Sequence, residues 1–238
     1  MTIETYPFAD VANAKDISGK TVVVIDVLRA TSVMITALEN GAKKIIPVLT
    51  NEMVLSEAKK YKPETSLLCG ERNAKKIDGF DLGNSPLEFI RETVEGKTLI
   101  MTTTNGTKAM KACQKTKEVF IGAFLNVDAV TEQVKNNQKL ILLCAGTNGR
   151  FSLDDGLCAG MIIDKLSEFT SVKTDDLGHI LRKAWKSGTG DLKNRLRNCR
   201  HLNFLVENGF EKDVEFCLQR NSSPVVPVYD PEKGIVYV

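Results

Sequence analysis

Residues 21–48 read TVVVIDVLRATSVMITALENGAKKIIPV. The opening run is apolar and β-branched, polar residues then introduce a segment of helical period, and KKIIPV returns to a short apolar run. A strand over 21–27, a helix over 31–41 and a strand over 43–48 follow from that change of period. The alternation continues along the chain. It predicts strands over 66–69, 97–102, 118–122 and 139–144, with helices over 51–61, 86–95, 106–116, 126–136 and 153–167. Six βα steps with short connections imply an α/β fold around a mostly parallel central sheet. A run near Ile3 to Phe8 adds a further strand.

The tail has a different character. Residues 174–219 are helical by period, with Gly188, Gly190 and Gly209 as punctuation. Beyond them, VVPVY and GIVYV flank DPEKG as a hairpin, in which Pro227 favours an edge strand. The expected organisation is one α/β domain over 1–238, with a helical extension over about 174–219 that packs onto the sheet and a subdivision near residue 96. KTLIMTTTNGTKAM and KLILLCAGTNGRFS each carry a TNG triplet past a strand. This echo suggests two related halves; two independent turns explain it equally well.

With 32 basic and 30 acidic residues the formal net charge is +2, and no basic run interleaved with aromatics marks a nucleic-acid surface. No apolar stretch approaches the roughly 20 residues of a membrane helix. The six cysteines are widely spaced without a CxxC pair, as expected of reduced thiols in a cytoplasmic protein. These features point to a small-molecule ligand, with neither nucleic acid nor membrane as partner.

Three polar clusters close apolar runs: Asp26 to Ser32, Thr102 to Thr107, and Ala145 to Arg150. In an open α/β sheet, ligands bind outside the carboxyl ends of the strands. Arg29 and Arg150 can pair bidentately with oxyanions, and the Thr, Ser, Asn and Gly residues around them offer hydroxyls and unusual backbone angles. The clusters read as three walls of one anion site. Asp26 ends a buried run, where ionisation needs a partner or a metal. Thr31 and Ser32 stand beside it, and helix capping is their plainer role.

A long glycine-rich connection, CGERNAKKIDGFDLGNSP (69–86), brings Glu71 and Arg72 directly after a strand. TTTNGTKAM offers Thr103, Thr104, Asn105, Gly106 and Thr107 at a helix start, suited to phosphate or sulfonate. It lacks the lysine of a Walker loop, and no GxGxxG is present. In CAGTNGRFSLDDGLCAG, Asn148 and Arg150 are anion partners, while Asp154 and Asp155 are candidate Mg²⁺ ligands or dipole-stabilising carboxylates. Cys144 and Arg150 have the Cys-x5-Arg spacing of a thiolate phosphatase, although Cys144 also continues the apolar run LILLC. The two histidines, His179 and His201, lie in the tail without metal-ligand spacing.

VIDVLRATS, GERNAKKIDGFDLGNSP, TTTNGTKA and CAGTNGRFSLDDGLCAG together resemble the 2-phosphosulfolactate phosphatase family, across most of the chain. The resemblance implies a three-layer α/β/α fold, Mg²⁺ dependence, a link to coenzyme M biosynthesis, and hydrolysis of 2-phosphosulfolactate to sulfolactate and phosphate. Asp26, Arg29, Glu71, the Thr103 to Thr107 loop and the Asp154/Asp155 pair match its motifs, which do not assign their individual roles. Asp26 followed by Thr31 is superficially similar to haloacid-dehalogenase phosphatases; the second aspartate of that pattern is Leu28 here.

A phosphate ester beside a sulfonate and a carboxylate needs several positive partners. The expected site therefore has Asp26, Arg29, Glu71 and Asp155 as catalytic residues, with Asp26, Glu71, Asp154 and Asp155 as the Mg²⁺ ligands. Thr31, Ser32, Arg72, Thr103, Thr104, Asn105, Gly106, Thr107, Asn148 and Arg150 bind the small anionic substrate. Two alternatives stand beside it, a non-catalytic sensor of a sulfonated or phosphorylated acid and a thiolate phosphatase using Cys144. The sequence leaves oligomeric state open, a homo-oligomer included.

Overall fold

A computed structural model describes residues 1–238, the side chain of Ala14 excepted. Its strands are β1 (Thr2–Tyr6), β2 (Thr21–Ile25), β3 (Lys44–Pro47), β4 (Ser66–Arg72), β5 (Lys75–Lys76), β6 (Thr98–Thr102), β7 (Glu118–Gly122), β8 (Lys139–Cys144), β9 (Lys173–Thr174), β10 (Val228–Asp230) and β11 (Ile235–Tyr237). The helices are α1 (Ala9–Ala14), α2 (Ala30–Glu39), α3 (Asn51–Ala58), α4 (Arg91–Val94), α5 (Gly106–Lys111), α6 (Val127–Val134), α7 (Leu153–Phe169), α8 (Asp176–Ser187), α9 (Leu192–Arg195), α10 (Arg200–Glu207) and α11 (Glu211–Cys217). Every strand joins one sheet, in the order β5-β4-β6-β3-β11-β10-β7-β2-β8-β1-β9.

The pleat explains the layers. Alternate residues of a strand face opposite sides, so Val22 and Val24 enter one core with Met34, Ile121 and Leu143. Val23 and Ile25 enter the other, with Val130, Leu142, Cys158 and Ile162. Helices cover both faces of a mostly parallel sheet, giving the three-layer α/β/α fold. β2 is central, paired in parallel with β7 on one side and β8 on the other. A continuous apolar run suits that position because neither face meets water.

The terminal hairpin departs from the expectation of an edge. β10 pairs antiparallel with β7, and β11 pairs antiparallel with β3. The hairpin thus joins the β3 to β6 strands to the group built from β1, β2, β7 and β8, and residue 96 falls inside the first group rather than between them. Pro227 precedes the strand and only accepts, from Ile121 N–H at 2.9 Å, so its missing donor removes nothing from the ladder. The expected helix over 86–95 is instead a 3₁₀ turn at Pro86–Glu88 and the short α4, separated by extended Ile90. The two TNG triplets also fold differently. Asn148 and Gly149 take positive φ in a two-residue turn, whereas Asn105 has negative φ and Gly106 begins α5. No helix is long and apolar enough to cross a membrane among the described residues.

Candidate functional site

The residues that follow β2, β4, β6 and β8 line one cleft, although the antiparallel pairings through the terminal hairpin set β4 and β6 opposite in direction to β2 and β8. After β2, the Thr31 hydroxyl donates to the Asp26 carbonyl at 2.8 Å and accepts the Asp26 N–H at 3.0 Å. Ser32 donates to the Val27 carbonyl at 2.8 Å. These hydroxyls hold the turn that presents Asp26 and Arg29, and neither lines the cleft described below. The loop after β6 crosses to the same place. A Cβ on Gly106 would lie 2.6 Å from the Ala30 Cβ and 2.8 Å from Asp26 Oδ2, so only glycine allows this approach.

β4 extends past the expected residue 69 to Arg72 and turns back through Asn73 and Ala74, both at positive φ, into β5. A positive-φ pair is the turn that matches strand twist, and Asn-Ala in place of Asn-Gly concealed it in the sequence. The turn serves the site directly. Glu71 Oε2 accepts the Ala74 N–H at 3.0 Å, while Oε1 accepts the Thr104 N–H at 2.8 Å and its hydroxyl at 2.7 Å. Thr103 and Thr107 satisfy each other's N–H groups through their hydroxyls. The threonine loop is therefore held by its own residues and Glu71, and Gly106 and Thr107 lie behind the cleft surface. Arg72 points away, to the carbonyls of Glu71 and Leu49 and the Thr102 hydroxyl.

After β8, Thr147 and Arg150 exchange backbone bonds of 2.8 and 3.1 Å around Asn148 and Gly149. The Asn148 N–H reaches Asn105 Oδ1 at 3.1 Å, joining this turn to the loop after β6. Asp155, on the first turn of α7, accepts the N–H groups of Val27 at 2.9 Å and Gly146 at 3.0 Å. It ties together the turns after β2 and β8 from beneath. Asp154 accepts from Ser152 and from the Cys199 thiol.

The tail supplies the remaining wall. Arg29 is buried, paired with Asp213 of α11, hydrogen-bonded to the Ala74 carbonyl at 2.8 Å, and stacked 4.2 Å from the Phe210 ring centroid. Ser85 donates to the other Asp213 oxygen at 2.6 Å. His201 Nδ1 lies 2.7 Å from the Thr147 hydroxyl.

These parts enclose a cleft of about 680 Å³. Asp26, Arg29, Glu71, Thr103, Thr104, Asn105, Asn148 and Arg150 line it; Thr31, Ser32, Arg72, Gly106, Thr107, Asp154 and Asp155 do not. The tail adds Asn198, Cys199, Arg200 and His201, and the strand-end loops add Asn73, Asn84 and Thr147. Thr147 falls in the Ala145 to Arg150 cluster and Asn73 and Asn84 in the 69–86 connection, but the sequence singles out none of the seven as a site residue; for the tail, helical period reports packing and not which helix end meets a distant strand. Arg150 and Arg200 are exposed, and their guanidinium groups have no carboxylate partner among the described residues. Cys144 is fully buried outside the cleft, and burial with the charges of Asp155, Cys158 and Asp154 pushes its thiol well up. A thiol buried outside the cleft does not face a phosphate bound there, which counts against the thiolate alternative.

The acidic groups crowd one another. Burial first, then the charges of Asp154 and Glu71, push the Asp26 carboxyl up to about 7 against the N–H groups of Ala30 and Gly106. Burial, Asp154 and Asp26 push Asp155 well above the carboxylate range. Such crowding favours a cation. Among the described residues no three His, Cys, Asp or Glu side chains converge to hold one. Asp155 lies outside the cleft, so the carboxylates that line it are Asp26 and Glu71, the latter already accepting from Ala74 and Thr104. Mg²⁺ is commonly held by one or two carboxylates, with water and substrate phosphate completing its shell, so this donor set fits that ion.

Fold and cleft together define an α/β protein with a small-ligand site built from the loops that follow the carboxyl ends of its two groups of parallel strands. The 2-phosphosulpholactate phosphatase family matches residues 8–232, and the chain belongs to that family. It is 45% identical over 228 residues, 95% of each chain, to a probable 2-phosphosulfolactate phosphatase of Caldanaerobacter subterraneus. Proteins of the same description from Clostridium botulinum (41% over 237 residues, 99% of each chain) and Thermotoga petrophila (45% over 219 residues, 91% of this chain and 92% of the other) are similarly related.

Proposed function

We propose that this chain is a phosphoric monoester hydrolase that converts 2-phosphosulfolactate, or a closely related small phosphorylated acid, to sulfolactate and phosphate with Mg²⁺. The observation that carries this reading is the polarity of the cleft, beside membership of the family. The carboxyl groups of Asp26 and Glu71 and the exposed Arg150 and Arg200, which have no carboxylate partner among the described residues, line the same cleft. A polyanionic ester suits such a cleft, its phosphate toward the carboxylates through a cation and its other anionic groups toward the arginines.

Asp26, supported by Glu71, would hold Mg²⁺, which when bound polarises the phosphoryl group. Glu71 keeps the threonine loop and the Asn73–Ala74 turn in place, and Arg29, already oriented by Asp213, adds positive charge at the cleft floor. Asp154 and Asp155 act from behind, shaping the turns and setting the charge of Asp26.

Phosphate release from 2-phosphosulfolactate tests the reading. We expect turnover that EDTA abolishes and Mg²⁺ restores. Equal turnover in chelated protein would remove the metal, and thermal stabilisation by sulfolactate with no phosphate release from any small phosphorylated acid would identify a sensor instead.

A further inference from the structure

His201 enters the cleft from the first turn of α10, and a chain of hydroxyls runs from its ring into the protein. Nδ1 is 2.7 Å from the Thr147 hydroxyl, Thr147 donates to Ser152 at 3.2 Å, and Ser152 donates to buried Asp154. The inner end sets the direction. A carboxylate only accepts, so Ser152 commits its one proton to Asp154, and Thr147 commits its one proton to Ser152. The remaining bond is then donated by Nδ1–H of His201. Nδ1 keeps its hydrogen in the neutral and the charged ring alike, and Nε2 is the nitrogen that exchanges a proton. No protein group bonds Nε2 among the described residues.

We propose that His201 is the general acid of the hydrolysis, with Thr147, Ser152 and Asp154 as its positioning residues; this rests on the phosphatase reading above. The substrate's leaving group is an alkoxide, which departs slowly unless protonated. Water oxygen forms a bond to phosphorus while the bond from phosphorus to the ester oxygen breaks. The electron pair of that bond goes to the ester oxygen, which takes the Nε2 proton, and the proton shed by the water returns to Nε2 through solvent. The products are the free alcohol and phosphate. The cleft's other groups are poorly placed for this role. Arg29, Arg150 and Arg200 keep their protons, Glu71 accepts three bonds as a carboxylate, Asp26 accepts the Ala30 N–H and is committed to the cation, and Cys199 gives its S–H to Asp154.

The test compares wild type, His201→Gln, Thr147→Val and Thr147→Ser in the presence of Mg²⁺. Phosphate release from 2-phosphosulfolactate gives kcat, KM and the pH profile, and calorimetry gives the affinity for inorganic phosphate. His201→Gln should lower kcat by roughly 10²-fold or more, leave KM and phosphate affinity within about threefold, and abolish the alkaline fall of kcat. Thr147→Val should lower kcat by roughly tenfold and move the alkaline fall to lower pH, because the imidazolium loses an acceptor, and Thr147→Ser should restore both. A His201→Gln enzyme with kcat within about threefold of wild type overturns the proposal. So does a loss confined to KM, or a Thr147→Ser enzyme as impaired as Thr147→Val. If His201→Gln fails to fold by circular dichroism, the Thr147 pair decides alone. An inactive wild type overturns the phosphatase reading and this one together, whereas an active wild type with an unimpaired His201→Gln overturns only this one.

Discussion

Asp26 concentrates the conflict between stability and site in one side chain. Asp26 is 5% exposed, and burial first, then the charges of Asp154 and Glu71, push its carboxyl up to about 7. A carboxyl raised on folding binds its proton more tightly in the folded than in the unfolded chain. Its folded state is therefore favoured most below the ordinary carboxylate range, loses stability as pH rises from about 4 to about 7, and changes little above that. Asp26→Asn has no proton to lose. In metal-free protein we expect the variant to be about 1–3 kcal/mol more stable than wild type at pH 8, the difference vanishing toward pH 4, while turnover is lost. Urea unfolding at the two pH values measures it, and a variant less stable than wild type at pH 8 would contradict the crowding of acids.

Among the elements, the terminal hairpin has the largest structural effect for its length. Val236 of β11 is fully buried and opposite Ile45 of β3, at the seam between the two strand groups. Val236→Asp would place an unpaired charge there, at a cost of about 3–5 kcal/mol, lowering Tm by roughly 6–20 °C. A melting curve within about 2 °C of wild type would show that the seam contributes little to stability. The hairpin also marks the limit of the sequence reading. Period and composition located the longer strands after Thr21 and both halves of the hairpin, since these are local signals, and missed the two-residue β5 and β9. Strand order is a long-range property, and Pro227 suggested an edge because a sequence does not show which neighbour its carbonyl will meet. The site divides in the same way. Asp26, Arg29, Glu71 and Arg150 were legible as charged residues ending apolar runs. Thr31, Ser32, Arg72 and Asp155 lay in the same polar segments and instead brace the turns or point away. His201 read only as a tail histidine without metal-ligand spacing and Asp213 drew no notice, because their partners Thr147 and Arg29 are 54 and 184 residues away in the chain.

The molecule as a whole closes its cleft with parts from opposite ends of the sequence. Glu71 and the loop after β6 form one side, α10 and the residues just before it form another, and Arg29 and Thr147 are among the contacts that attach the tail. A ligand that touches both sides should tighten them together, since each would otherwise open independently. At inorganic phosphate or sulfolactate concentrations near 100 times Kd, binding adds about 2.7 kcal/mol, a rise in Tm of roughly 5–11 °C. Hydrogen exchange locates that gain. With Mg²⁺ and sulfolactate present, we expect slowed exchange both at Ala74 and Thr104, whose N–H groups bond Glu71, and across residues 199–205 of the tail. Protection confined to the strand-end loops, with α10 exchanging as in the free protein, would mean that the tail braces the site without meeting the ligand.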